Sequence, residues 1–147
     1  MKKVISLILL VIGFVGSAQN ELPKSEIDIA PLLIGEKIPN ITLQSVDGKS
    51  VSLETVLNKK RTVLVFYRGG WCPYCNMHLA ALGEAEKELL DLGYQIIAIS
   101  PDAPKNLKTT QDKDKVNYIL ISDSKGELAK AVGIAFKASE NYKPIIT

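Results

Sequence analysis

The only two cysteines of this 147-residue chain, Cys72 and Cys75, lie within the run Arg68-Gly69-Gly70-Trp71-Cys72-Pro73-Tyr74-Cys75. A C-x-x-C pair is chemically informative when it falls where a strand passes into a helix. Cys72 then sits near the helix N-cap and Pro73 at the first helical position, where a missing N–H does no harm. The free amides of Tyr74 and Cys75 can donate to the Cys72 sulfur, and the helix end carries about half a positive charge. Both effects favour the thiolate, which is the nucleophilic form of cysteine. Arg68 adds a full positive charge nearby.

Other uses of the pair fit less well. A structural disulfide suits an exported chain, but a bridge spanning two residues restrains little of the unfolded state, because the stabilisation grows with loop length. A zinc site would recruit Cys72, Cys75 and His78, yet no other cysteine or histidine exists to complete four ligands. Covalent haem needs histidine directly after the second cysteine, and Asn76 stands there. No metal or other cofactor is expected. His78, one turn beyond Cys75, reads first as an ordinary helix residue and second as a group whose protonation tunes the thiol. Trp71, Pro73 and Tyr74 form an apolar rim, either for packing or for docking a partner protein.

The flanking segments must hold this motif in place. Thr62 to Tyr67 is apolar without alternation, as expected of a central strand buried on both faces. Beyond Cys72, Leu79, Leu82, Glu86, Leu89 and Leu92 advance by three or four, with Glu84, Lys87, Glu88 and Asp91 on other faces. This predicts an amphipathic helix of about 18 residues ended by Gly93. Tyr94 to Ile99 reads as the next strand, Pro104 to Asp114 as a helix, Asn117 to Ile121 as a strand and Glu127 to Val132 as a helix. Upstream, Ile41-Thr42-Leu43 and Val51-Ser52-Leu53 flank an Asp47-Gly48 turn and predict an edge hairpin, followed by one helical turn at Glu54 to Asn58. The alternation of strands and helices predicts an α/β fold with a mostly parallel sheet covered by helices, its chemistry at the carboxyl ends of the strands.

The amino terminus follows a different logic. Lys2 and Lys3 precede a mostly apolar stretch from Val4 to Val15, and small Gly16 and Ala18 come ahead of polar Gln19 and Asn20. Residues 1–18 read as a signal peptide, since a membrane span needs about 20 apolar residues. Export to the periplasm or outside the cell is expected, with no membrane association once the leader is removed; left uncleaved, the leader would serve as an anchor. Residues 19–34 form a loosely ordered lead-in and residues 35–147 the single domain. Removal of the leader takes away Lys2 and Lys3 and no acidic residue, so that 16 basic side chains face 16 acidic ones. The formal charge of +2 therefore belongs to the leader, and a neutral chain offers no electrostatic footprint for nucleic acid.

The segment Phe66 to Asn76, with Ser100-Pro101-Asp102 and Ser122-Asp123-Ser124-Lys125-Gly126-Glu127-Leu128-Ala129-Lys130, resembles the alkyl hydroperoxide reductase/thiol-specific antioxidant group. This is the peroxiredoxin-like branch of the thioredoxin superfamily, and the likeness extends over residues 35 to 137. It implies a thioredoxin-like fold and cysteine redox chemistry, with a peroxide or a protein disulfide as substrate. An external dithiol, such as a thioredoxin-like protein, would be the reductant.

Two alignments of the site compete under that resemblance. Read as a thioredoxin, Cys72 is the exposed nucleophile and Cys75 the resolving thiol. Read as a peroxiredoxin, whose pattern is Pro-x-x-x-Thr-x-x-Cys, Cys75 takes the peroxidatic position, Cys72 replaces the threonine and Arg68 the proline. Either way, a sulfenic acid on one cysteine condenses with the other to a Cys72–Cys75 disulfide. The resemblance also leads one to expect a C-terminal hairpin and helix, which the run ending Lys143-Pro144-Ile145-Ile146-Thr147 does not reach.

Overall fold

The computed structural model describes residues 21–139. The leader reading of residues 1–18 and the tail Lys143 to Thr147 fall outside this range. The helix predicted from its spacing forms over Pro73–Asp91, here α2, and its Leu79 is fully buried. It ends at the expected place. Gly93 takes φ +84 and its N–H bonds the Leu90 carbonyl at 3.0 Å, which a side chain at this position would resist.

Five strands form one mixed sheet in the spatial order β2 (Ser50–Ser52), β1 (Thr42–Ser45), β5 (Ile119–Ser122), β4 (Tyr94–Ser100) and β3 (Arg61–Phe66). The hairpin strands are β1 (Thr42–Ser45) and β2 (Ser50–Ser52), closed by Gly48 at φ +74 with its N–H on the Ser45 carbonyl. Helix α1 (Leu53–Leu57) follows, capped by the Ser52 hydroxyl, which accepts from the Thr55 amide. Strands β3 (Arg61–Phe66), β4 (Tyr94–Ser100) and β5 (Ile119–Ser122) are parallel, and β1 joins β5 antiparallel. Helices α3 (Pro104–Asp114) and α4 (Glu127–Ala131) complete the architecture. This is the expected thioredoxin-like arrangement, with its N-terminal hairpin and its helices flanking the sheet.

One expectation is corrected. The apolar run Thr62 to Tyr67 predicts a central strand buried on both faces, yet β3 lies at the edge of the described sheet and its residues from Thr62 to Val65 are only half-buried. The doubly buried strand is β4, flanked by β5 and β3. Ile97 and Ile99 pack with Leu53, Val56, Ile121 and Leu128 on one face, while Ile96 and Ala98 pack with Leu79, Leu107, Val116 and Leu120 on the other. Both strands carry unbroken apolar runs, and such a run does not encode which strands lie beside it.

Two buried polar contacts lock the layers. Tyr118 Oη donates to the Leu79 carbonyl at 2.8 Å, pinning α2 against the start of β5. Gln95 Nε2 donates to the Val56 carbonyl at 2.8 Å and to Thr62 Oγ1 at 2.9 Å, tying β4 to α1 and β3. Buried groups of this kind need partners, because leaving one unsatisfied costs about 1–3 kcal/mol. The described part of the lead-in holds one 3-10 turn, Glu26–Asp28, and is attached: Leu32 N–H bonds the Val132 carbonyl at 3.2 Å, and Lys137 N–H bonds the Pro23 carbonyl at 2.8 Å.

Candidate active site

The parallel register aligns Phe66 with Ile99 and Ser100 with Ser122, so the carboxyl ends of β3, β4 and β5 meet at one end of the sheet. There the backbone leaves β3 through Tyr67, whose N–H still bonds the Ile99 carbonyl at 3.0 Å. Gly69 then turns at φ +142, and a Cβ at this position would lie 2.5 Å from Trp71 Nε1 and 2.9 Å from Asp102 Oδ1. Only glycine fits there, on conformation and on space. The turn closes with Cys72 N–H on the Gly69 carbonyl at 3.1 Å.

Cys72 is the N-cap of α2 and Pro73 its first residue, as the spacing predicted. The Cys72 carbonyl receives the first helical bond, from the Asn76 amide at 3.1 Å. Both sulfurs are free thiols. Cys72 is only 3% exposed and Cys75 half-buried, which corrects the exposed Cys72 that the thioredoxin alignment leads one to expect. The tight Gly69–Cys72 turn draws the residue in against the helix end.

The two thiols are driven apart in acidity. A hydrogen bond from the Cys75 thiol and then the Cys75 amide lower Cys72; desolvation opposes them, and the Arg68 charge and the Tyr74 amide lower it by lesser amounts. The sulfur makes no fully formed cap hydrogen bond, so the amides act on it as near dipoles. Burial raises Cys75, and its donation to Cys72 holds its proton further. The pattern favours ionisation of Cys72 over that of Cys75.

Arg68 and Trp71 come together as the sequence suggested. The guanidinium lies 4.8 Å from the centroid of the Trp71 ring, within reach of a cation–π contact. Trp71 and Tyr74 are exposed, Tyr74 at 81%, and with Pro73 and Met77 they surround the cysteine pair with uncovered apolar surface. A cavity of about 460 Å³ is lined by Phe66, Arg68, Ile99, Pro101, Ala129 and Phe136. His78 points to solvent, and no group of three or more His, Cys, Asp or Glu side chains suited to a metal occurs among the described residues.

Sequence reasoning assigned no role to the residues that brace this loop. Asp102 Oδ2 accepts the Gly70 N–H at 2.8 Å, and Asn76 Nδ2 donates to the Gly70 carbonyl at 2.9 Å. Ser100 Oγ donates to the same Asp102 oxygen at 3.1 Å. The available signal was the Ser100-Pro101-Asp102 run at the carboxyl end of an apolar strand, which is where such sheets gather function.

Residues 34–146 match the AhpC/TSA family. The bcp protein of Haemophilus influenzae is 35% identical over 104 residues, which are 71% of this chain and 66% of that protein. Peroxiredoxin bcp1 of Schizosaccharomyces pombe is 31% identical over 110 residues, 75% of this chain and 56% of its own. Among solved structures, peroxidoxin BcpB from Mycobacterium tuberculosis superposes with a TM-score of 0.64 at 23% identity, over 67% of this chain and 64% of that one, a likeness of fold. The chain thus spans less than two thirds of the length of these relatives. With its fold, its strand-to-helix cysteine motif and a match over residues 34–146, the chain belongs to the AhpC/TSA family, the peroxiredoxin-like branch of the thioredoxin superfamily.

Proposed function

We propose that the chain is a thiol-dependent peroxidase working through Cys72 and Cys75. The observation that carries this reading is the placement of Cys72 as the N-cap of α2 with Cys75 in its first turn, where the surroundings lower Cys72 and raise Cys75, within a family whose relatives include a protein named peroxiredoxin. The Cys72 thiolate attacks one peroxide oxygen and the O–O bond breaks. Cys72 becomes the sulfenic acid, and the leaving oxygen takes a proton to depart as alcohol or water. The Cys75 sulfur then attacks Cys72 sulfur, water leaves, and a Cys72–Cys75 disulfide closes. An external dithiol returns two electrons and two protons to regenerate the pair. Arg68 favours the initial thiolate, and Trp71, Pro73 and Tyr74 offer the rim against which the reductant docks.

This assignment follows the thioredoxin alignment in making Cys72 the attacking group, with Cys75 held as a thiol ready to resolve. A second reading, a thioredoxin-like thiol–disulfide oxidoreductase, is favoured by a specific observation: an intact C-x-x-C at a helix N-cap, where the peroxiredoxin pattern has threonine and proline in place of Cys72 and Arg68. Peroxide consumption driven by a dithiol, set beside reduction of insulin disulfides, separates the two. Peroxide turnover dependent on both cysteines supports the first reading; insulin reduction without peroxide turnover replaces it with the second. We also propose export, supported by the Lys2-Lys3 and Val4 to Val15 pattern. Cell fractionation, with mass spectrometry of the mature N-terminus, tests this.

A further inference from the structure

Gly70 is held on both sides by side chains from different elements. Asp102, beyond the end of β4, takes its N–H, and Asn76, on the first turn of α2, donates to its carbonyl. Asp102 is itself immobilised. Its N–H donates to Ser100 Oγ at 3.2 Å, Ser100 Oγ returns a bond to Oδ2, and Ser122 Oγ donates to the Asp102 carbonyl at 2.6 Å. Ser100 and Ser122 face each other in register on β4 and β5, so the clasp is rooted in the rigid sheet. The loop fits it closely on its remaining side, where Thr110 Oγ1 occupies the space a Gly70 side chain would need.

We propose that Asp102 is a positioning residue for Cys72. By fixing Gly70 it fixes the Gly69–Cys72 turn, and so keeps the Cys72 sulfur where the α2 amides, the Cys75 thiol and Arg68 stabilise its thiolate. Asp102 works through acceptor geometry rather than charge, since a carboxylate near a thiolate opposes ionisation. The inference rests on Cys72 as the nucleophile.

The test follows iodoacetamide alkylation of Cys72 in the reduced full chain across a pH series, with the adduct located by mass spectrometry. Asp102→Ala is expected to slow Cys72 alkylation near neutral pH by roughly tenfold and to move the midpoint of its profile upward, as the thiolate fraction falls. Asn76→Ala shifts it in the same direction. Asp102→Asn, which keeps an acceptor for the Gly70 N–H, restores alkylation near the native rate. Tyr118→Phe, which removes a buried bond to the Leu79 carbonyl and none at Gly70 or Asp102, leaves the midpoint in place. If Asp102→Ala does not fold by circular dichroism, Asn76→Ala decides the matter. Folded variants that titrate Cys72 as the native chain does overturn the proposal, as does Asp102→Asn behaving like Asp102→Ala. Alkylation uses no peroxide, so loss of the peroxidase reading would leave this result interpretable.

Discussion

The Arg68 guanidinium lies over the Trp71 ring, 4.8 Å from its centroid, and the same charge helps to lower the Cys72 thiol. One side chain thus links the exposed rim to the buried sulfur. Arg68→Ala is expected to slow Cys72 alkylation at neutral pH by a few-fold and to alter the emission of Trp71, the only tryptophan in the chain. Arg68→Lys keeps the charge but loses the guanidinium over the ring, so it should recover alkylation more fully than emission. Unchanged rates in Arg68→Ala would remove Arg68 from the electrostatics of the site.

Acidity should separate the two thiols in order. Cys72 is lowered by the Cys75 thiol and the helix amides, and Cys75 is raised by burial. In the reduced chain, alkylation of Cys72 is expected to rise at lower pH than that of an ordinary cysteine, and alkylation of Cys75 at higher pH. Stability follows the same sign. Because the folded chain holds Cys72 more acidic than the unfolded one, its contribution is complete above the unfolded pKa and lost as pH falls through the folded one. The difference in melting temperature between reduced native chain and reduced Cys72→Ser should therefore shrink on acidification, which calorimetry across pH measures.

Gly70 has no room for a methyl group. Gly70→Ala is expected to destabilise the fold by about 1–3 kcal/mol, since the added Cβ must displace Thr110 Oγ1. Removing that oxygen should return part of the loss, so Gly70→Ala with Thr110→Ala should be non-additive in urea unfolding. Additive losses would mean that Thr110 does not set the space at Gly70.

Tyr118→Phe removes the buried bond to the Leu79 carbonyl and should cost about 0.5–1.5 kcal/mol in urea unfolding. Because the bond lies deep under α2 rather than at the cysteine pair, Cys72 alkylation should be unaffected.

Much of the site was legible because its signals are local. An N-cap cysteine followed by proline and an apolar helix repeat identifies the start of α2 from a handful of adjacent residues, and the structure places Cys72 and Pro73 accordingly. The edge position of β3 was not legible, because Thr62 to Phe66 and Gln95 to Ile99 carry similar apolar runs while their neighbours in the sheet are set by distant pairings. The same holds for Asp102, which meets Gly70 across 32 positions of sequence. The burial of Cys72 was hidden for a related reason: it follows from how the Gly69–Cys72 turn closes, not from the identity of any one residue.

The central claim is that Cys72 attacks peroxide and Cys75 resolves the product. Stopped-flow oxidation of the reduced Cys75→Ser chain by peroxide, with mass spectrometric trapping of sulfenic acid, tests it most directly. The expected result is a sulfenic acid on Cys72 formed far faster than on free cysteine, with none formed at a comparable rate on Cys75 in Cys72→Ser. Rapid oxidation of Cys75 in Cys72→Ser, with Cys72 no faster than free cysteine in Cys75→Ser, would contradict the account.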